Sequence, residues 1–282
     1  MLGPGSNGGR RGGMSEVRAI FITGGASGIG LATARLFARA GWRVGLADID
    51  AARVAEAAAS LPGVHHHYHM DVRDRDAWRV SLDAFTRASG GRLDVLFNNA
   101  GVGTGGPLAT ASWEALDRTV AVNFVGVLNG ARIGHDYLAR TRGSCLLNTA
   151  SASAIYGSAG LATYSATKFA VRGLTEALDG EWHGEGIKVR SLIPSFIDTP
   201  LLDTVGEGSN RTIRETVAGA GMEVTGVDAV AKAAWRAVHG SAVHTYVGRT
   251  AERLRFAARW LPGSLRKRMQ GAGRRGGGGE RR

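Results

Sequence analysis

Short apolar runs alternate with longer amphipathic segments along most of this chain, and that alternation restricts the fold more than any other feature. Residues 18–23, 43–48, 64–70, 93–98, 144–150, 188–193 and 244–247 read as strands. Residues 29–40, 51–60, 74–89, 113–140, 163–182 and 227–239 read as the helices between them. Strands alternating with helices of this length pair in parallel through right-handed crossovers, with helices on both faces of the sheet. The expectation is a single doubly wound, Rossmann-like α/β domain. Such sheets bind ligands beyond the carboxyl ends of their strands, so functional residues are sought there.

Composition removes several other classes. With 282 residues, 44% hydrophobic and 21% charged, the chain carries enough apolar material for its own core. Cys145 is the one cysteine, which excludes an internal disulfide scaffold. The longest uncharged stretch, residues 143–167, is rich in Ser, Thr and Gly and unsuited to spanning a bilayer. No apolar leader follows the early arginines, so a cytoplasmic location is expected.

The net charge of +11 is unevenly placed. Residues 14–248 hold 22 basic and 22 acidic side chains and are neutral, whereas residues 249–282 hold eleven basic and two acidic ones. A nucleic-acid-binding fold spreads basic residues over one face of its body, so no nucleic-acid partner is expected. Residues 1–13 and 271–282, each with six glycines, are expected to lack order. Residues 14–248 are read as the folded α/β domain and 249–270 as a basic amphipathic helix. That helix would put Leu254, Ala257, Ala258, Leu261 and Leu265 on one face, either docked on protein or lying peripherally on an anionic membrane.

Three constellations carry chemistry. The first strand runs into Thr23-Gly24-Gly25-Ala26-Ser27-Gly28-Ile29-Gly30 and then a helix. Such a loop lets backbone approach a pyrophosphate at a helix N-terminus, making Gly24, Ser27, Gly28, Ile29 and Gly30 candidate cofactor contacts. Asp48, 18 residues past Gly30, stands where a carboxylate accepts hydrogen bonds from an adenosine ribose. With neither Ser27 nor Ile49 basic, a 2′-phosphate finds no counter-charge, and NAD is expected over NADP. Finally, Tyr164 and Lys168 are spaced i,i+4 on one helix face, where an ammonium favours a phenolate suited to acid–base work. Ser151, at the end of a strand, offers a hydroxyl to the substrate oxygen. The histidines in His65-His66-His67-Tyr68-His69 alternate between strand faces, so no metal site is expected.

Together, Thr23–Gly30, Asn98-Asn99-Ala100-Gly101, Ser151, Tyr164 and Lys168 resemble the short-chain dehydrogenase/reductase family over roughly residues 17–248. The resemblance implies a seven-stranded parallel sheet, a nicotinamide cofactor and a homodimeric or homotetrameric enzyme. It implies that Asn123 completes a catalytic tetrad with Ser151, Tyr164 and Lys168 and supports a proton relay through water. It places Asp71 and Val72 beside the adenine, Asn98, Ala100 and Gly101 along the cofactor groove, and Ile197 and Thr199 at the carboxamide. Where the family usually has Gly after Pro194, this chain has Ser195.

The implied reaction is hydride transfer between NAD and a secondary alcohol or ketone. Leu201, Leu202, Val205, Ile213, Val217 and Met222, with Ile155 and Tyr156, point to a lipophilic substrate. An NADP-preferring carbonyl reductase is the enzymatic alternative, disfavoured by Asp48. A non-catalytic nucleotide sensor would have no need of Ser151, Tyr164 and Lys168 at this spacing.

Overall fold

A computed structural model describes residues 17–103, 105–205, 210–219 and 221–276, with backbone alone for 271–276. Among these residues the order is β1 (Ala19–Thr23), α1 (Gly28–Arg39), β2 (Arg43–Asp48), α2 (Ala51–Ala59), β3 (His66–His69), α3 (Arg75–Ala88) and β4 (Val95–Asn98). Next come α4 (Trp113–Val120), a π-turn at Ala121–Val125, α5 (Gly126–Leu138), β5 (Cys145–Thr149), α6 (Ala162–Glu181) and β6 (Lys188–Pro194). The chain continues through β7 (Phe196–Ile197), α7 (Ile213–Gly219), β8 (Val224–Thr225), α8 (Val227–His239) and β9 (His244–Val247). It ends in α9 (Arg249–Trp260) and α10 (Pro262–Gly276).

Seven of these strands form one parallel sheet in the order β3-β2-β1-β4-β5-β6-β9, as the alternation predicts. Side chains alternate across it. Ile20 and Ile22 of β1 join a core with Phe37 of α1, Val54 of α2 and Val230 of α8. Ala19 and Phe21, one residue out of phase, join the opposite core with Trp78 and Phe85 of α3 and Leu138 of α5. Both faces are therefore buried, which is why the strands read as unbroken apolar runs. Phe37 is fully buried with its ring 4.9 Å from each of Trp42 and Trp235, tying α1 to α8. Asp50 and Asp74 cap α2 and α3 by accepting from backbone N–H groups of the first turn.

Strand order reverses beside β1: the chain goes outward to β2 and β3, then returns to β4 on the other side. That reversal opens a crevice above the carboxyl ends of β1 and β4, the topological switch point of such a sheet.

The structure departs from the sequence expectation in three places. The helix expected over 113–140 is interrupted by the π-turn at Ala121–Val125. Residues 196–197 and 224–225 form a small two-stranded sheet beyond the main one, too short to register as apolar periodicity. The single helix expected over 249–270 is two, because Pro262 lacks an N–H and begins a new helix. The second of these continues to Gly276, into the segment expected to lack order; the remainder of that segment and residues 1–13 lie outside the described residues.

Candidate active site

The glycine loop lies over the crevice. Gly28 has φ +52° and approaches Thr199 so closely that a Cβ would stand 3.0 Å from its methyl group. A Cβ on Gly30 would stand 2.2 Å from the Gly24 carbonyl oxygen, so only glycine closes this turn. Ser27 precedes α1 without a side-chain cap, and the first turn carries no acidic residue. An uncapped, acid-free helix N-terminus bordered by bare backbone fits a pyrophosphate. Asp48 does not cap α2, which Asp50 does. Its Oδ2 accepts from the Ala26 N–H at 3.1 Å and its Oδ1 from the Asp50 N–H at 3.2 Å, which ties the end of β2 to the glycine loop.

The Asn98–Gly101 segment after β4 faces that loop. Thr23 Oγ1 accepts from the backbone N–H groups of Asn99 at 3.0 Å and Ala100 at 3.1 Å. The Asn99 amide donates to the carbonyls of Thr23 at 3.0 Å and Gly24 at 3.2 Å, and accepts from Thr149 Oγ1 at 3.2 Å. Asn99 thus welds three strand ends together. The sequence motif contains it, yet its role is not legible there, because its partners are backbone carbonyls distant in sequence. Asn98 departs from expectation: its side chain turns into the interior rather than along the groove. There it is 3% exposed and donates to Asn148 Oδ1 at 3.0 Å, and Asn148 Nδ2 in turn donates to Thr175 Oγ1 at 3.1 Å.

Lys168, on α6, is 3% exposed and donates to the Thr149 carbonyl at 2.9 Å. Its Nζ lies 5.6 Å from the centre of the Tyr164 ring, one helical turn earlier. Burial pushes the Lys168 ammonium down to about 8. Burial also pushes the Tyr164 phenol up, and a hydrogen bond with Ser151 opposes that rise. Ser151 follows β5 and caps the 3-10 turn Ala152–Ala154, accepting from the Ser153 N–H at 3.2 Å.

Asn123 reaches the site through the π-turn. Its Oδ1 accepts from the Val102 N–H at 2.8 Å and its Nδ2 donates to the Val102 carbonyl at 2.9 Å, bracketing one residue of the loop after β4. A Cβ on Gly101 would stand 3.2 Å from Asn123 Oδ1 and 3.7 Å from Lys168 Nζ, which shows how close these groups converge. With both ends of its amide on Val102, Asn123 holds the wall beside Lys168.

The remaining expected residues are placed differently from one another. Asp71 forms a bidentate pair with Arg73, whose guanidinium holds the Asp71 carboxyl below the usual carboxylate range. Val72 is buried and its carbonyl accepts from Trp78 Nε1 at 2.9 Å. Thr199 packs on the glycine loop, whereas the Ile197 side chain belongs to the core. Ser195 is accommodated by Gly248: that glycine has φ +89°, and a Cβ there would lie 2.3 Å from Ser195 Oγ.

The apolar wall differs from expectation. Leu202 and Val217 are buried as packing residues, and Val205 is largely exposed. Beside Tyr164 lies a groove lined by Leu108, Ala111, Ala115, Leu116 and Leu161, residues that carry no motif by which the sequence could mark them.

A doubly wound sheet with a glycine loop over its switch point, and a Ser–Tyr–Lys cluster beside it, defines a dinucleotide-binding α/β oxidoreductase. The chain belongs to the short chain dehydrogenase family, whose model matches residues 18–210. It is 34% identical over 200 residues to the 3-oxoacyl-acyl-carrier-protein reductase of Thermotoga maritima, covering 70% of this chain and 81% of that protein. It is 37% identical over 185 residues to the meso-2,3-butanediol dehydrogenase of Serratia marcescens, covering 65% and 73%. The crystal structure of 3-ketoacyl-(acyl-carrier-protein) reductase from Brucella melitensis complexed with NADH superposes with a TM-score of 0.74 at 28% identity, covering 83% of this chain and 99% of that one.

Proposed function

We propose that this chain is an NAD-preferring dehydrogenase/reductase that interconverts a lipophilic secondary alcohol and its ketone, with Tyr164 as acid–base. The observation that carries the proposal is the cluster of Ser151, Tyr164 and Lys168 where β5 ends and α6 begins, with Tyr164 also lining the groove bordered by Leu108, Leu116 and Leu161. The named activities of the butanediol dehydrogenase and the oxoacyl reductase support chemistry at a carbinol carbon.

Gly24, Ser27, Gly28, Ile29 and Gly30 would hold the cofactor pyrophosphate. Asp48 would take the adenosine ribose, Asp71 and Val72 would flank the adenine, and Thr199 would stand near the carboxamide. When bound, the nicotinamide supplies the acceptor for the hydride that leaves the carbinol carbon. Ser151 Oγ, beside the phenol, holds the substrate oxygen. Tyr164 Oη takes the hydroxyl proton in oxidation and returns it in reduction. Lys168, positively charged below about pH 8 and 5.6 Å from the Tyr164 ring, would supply the charge that offsets the rise burial imposes on the phenol. Asn123 acts as a positioning residue through Val102.

The aliphatic side chains that border the groove favour a substrate without charge, since burying apolar surface yields about 25 cal/mol per Å². A carboxylate or phosphate there would meet Leu108, Leu116 and Leu161. We infer further that the working form is a homo-oligomer.

Tyr164→Phe tests the assignment. The variant keeps its fold and its NAD affinity, measured by calorimetry, and loses at least about 100-fold in turnover, the scale of a positioned acid–base. Near wild-type turnover would remove Tyr164 from the chemistry.

A further inference from the structure

We propose that the corner between α9 and α10 is a docking surface for an anionic lipid bilayer. The sequence pattern puts Leu254, Ala257, Ala258, Leu261 and Leu265 on the apolar face of one helix. The structure turns most of that face inward. Ala251 and Leu265 are buried, and Leu254, Ala257 and Ala258 are half-buried, with α9 resting on β9 and on the Ala152–Ala154 turn. The residues left outside are a different set. Phe256, Trp260 and Leu261 are 58%, 65% and 50% exposed and are followed at once by Pro262, where the helix breaks. Phe256 and Trp260 are one turn apart and share a face of α9, so the corner carries two aromatic rings and a leucine side by side.

The surroundings define the occupant. Arg253, Arg255 and Arg259 precede the break, and Arg266, Lys267 and Arg268 follow it. All six are exposed, and none has a carboxylate partner among the described residues. The Arg259 guanidinium lies over the Trp260 ring at 5.6 Å. Residues 249–282 carry nine net positive charges beside a body, residues 14–248, that is neutral, so the partner is anionic. Exposed aromatic and aliphatic tips flanked by arginines match the headgroup boundary of a bilayer, where the rings enter and the cations stay with the phosphates. Phe256 and Trp260 would also offer stacking faces to a single-stranded nucleic acid, and the homopolymer arm of the test below separates that occupant from a bilayer. The docking does not depend on the lipophilic substrate proposed above.

Flotation of the full chain with phosphatidylcholine vesicles, with and without phosphatidylglycerol, tests the surface. Binding is expected only to the anionic vesicles and is weakened by salt. The double variant Phe256→Ser, Trp260→Ser loses about tenfold or more in partition while keeping its unfolding midpoint and NAD affinity. Absence of flotation, equal flotation with neutral vesicles, or unchanged binding by the double variant overturns the proposal. So does retention on an RNA homopolymer, or self-association abolished by the double variant, if either occurs without vesicle binding. An inactive protein that still floats would instead count against the enzymatic reading alone.

Discussion

Lys168 is buried with its ammonium on the Thr149 carbonyl and its pKa pulled down to about 8, so folding and chemistry make opposite demands on it. Below pH 8 the lysine is charged folded and unfolded, and the whole cost of burying that charge, about 3 kcal/mol, weighs on the fold. From pH 8 to 10.5 the folded state binds fewer protons than the unfolded one, so the cost fades as pH rises. Lys168→Met should therefore abolish turnover while raising the thermal midpoint at neutral pH, with the gain shrinking above pH 8. A variant no more stable than wild type at pH 7 would contradict this. Asp48 also has two duties. Its carboxylate braces the glycine loop through Ala26, and in the function proposed above it takes the adenosine ribose. Asp48→Ala should weaken NAD and relieve the repulsion of NADP, narrowing the preference from both sides. Direct titration of both cofactors checks it, and a wild-type protein that binds NADP more tightly would reverse the proposed choice. Ser151, Tyr164 and Lys168 are legible in the sequence because their spacing sits on recognisable elements; Asn99 is not, because its meaning lies in long-range carbonyl contacts.

At the scale of elements, the π-turn within the long helix positions Asn123. One extra residue in a helical turn rotates the later turns by about 100°, so a continuous α-helix over 113–140 would not present α4, Asn123 and α5 to the same neighbours. Periodicity over 28 residues cannot register such a single insertion. In the structure the Asn123 amide satisfies both backbone groups of Val102. Asn123→Ala leaves them without protein partners, and a destabilisation of about 1–3 kcal/mol is expected in thermal unfolding. Turnover should fall with it, because Val102 follows Gly101, which packs beside Lys168. Loss of stability with full activity would show that the bracket is structural only. The break at Pro262 has the same lesson for the C-terminus: the hydrophobic pattern there predicts a helical face, and packing decides which side of it faces protein.

For the molecule as a whole, the neutral body carries exposed apolar residues on α4, α5 and α6: Trp113 at 80%, with Leu128 and Phe169 at 40% and 42%. Scattered single residues need no explanation, but a set on neighbouring helices fits a self-association surface. Sedimentation should show a dimer or tetramer, and Trp113→Ser, Phe169→Ser should shift it towards monomer. A wild-type chain that is monomeric at micromolar concentration would exclude the expected homo-oligomer.

The sequence by itself determined the α/β alternation, the parallel sheet, the family, the tight glycine turn after β1, and the placing of Tyr164 and Lys168 one turn apart on a helix. All of them obey local rules: strand and helix periods, turn-forming glycines, and side chains one turn apart. Tertiary structure alone decided that Asn98 faces inward and Asn99 ties the strand ends. It alone decided that a π-turn delivers Asn123, that Gly248 makes room for Ser195, and that Phe256 and Trp260, not Leu254 and Leu265, face outward. Each of these depends on which distant surface a residue meets, and that is set by packing between elements far apart in the chain.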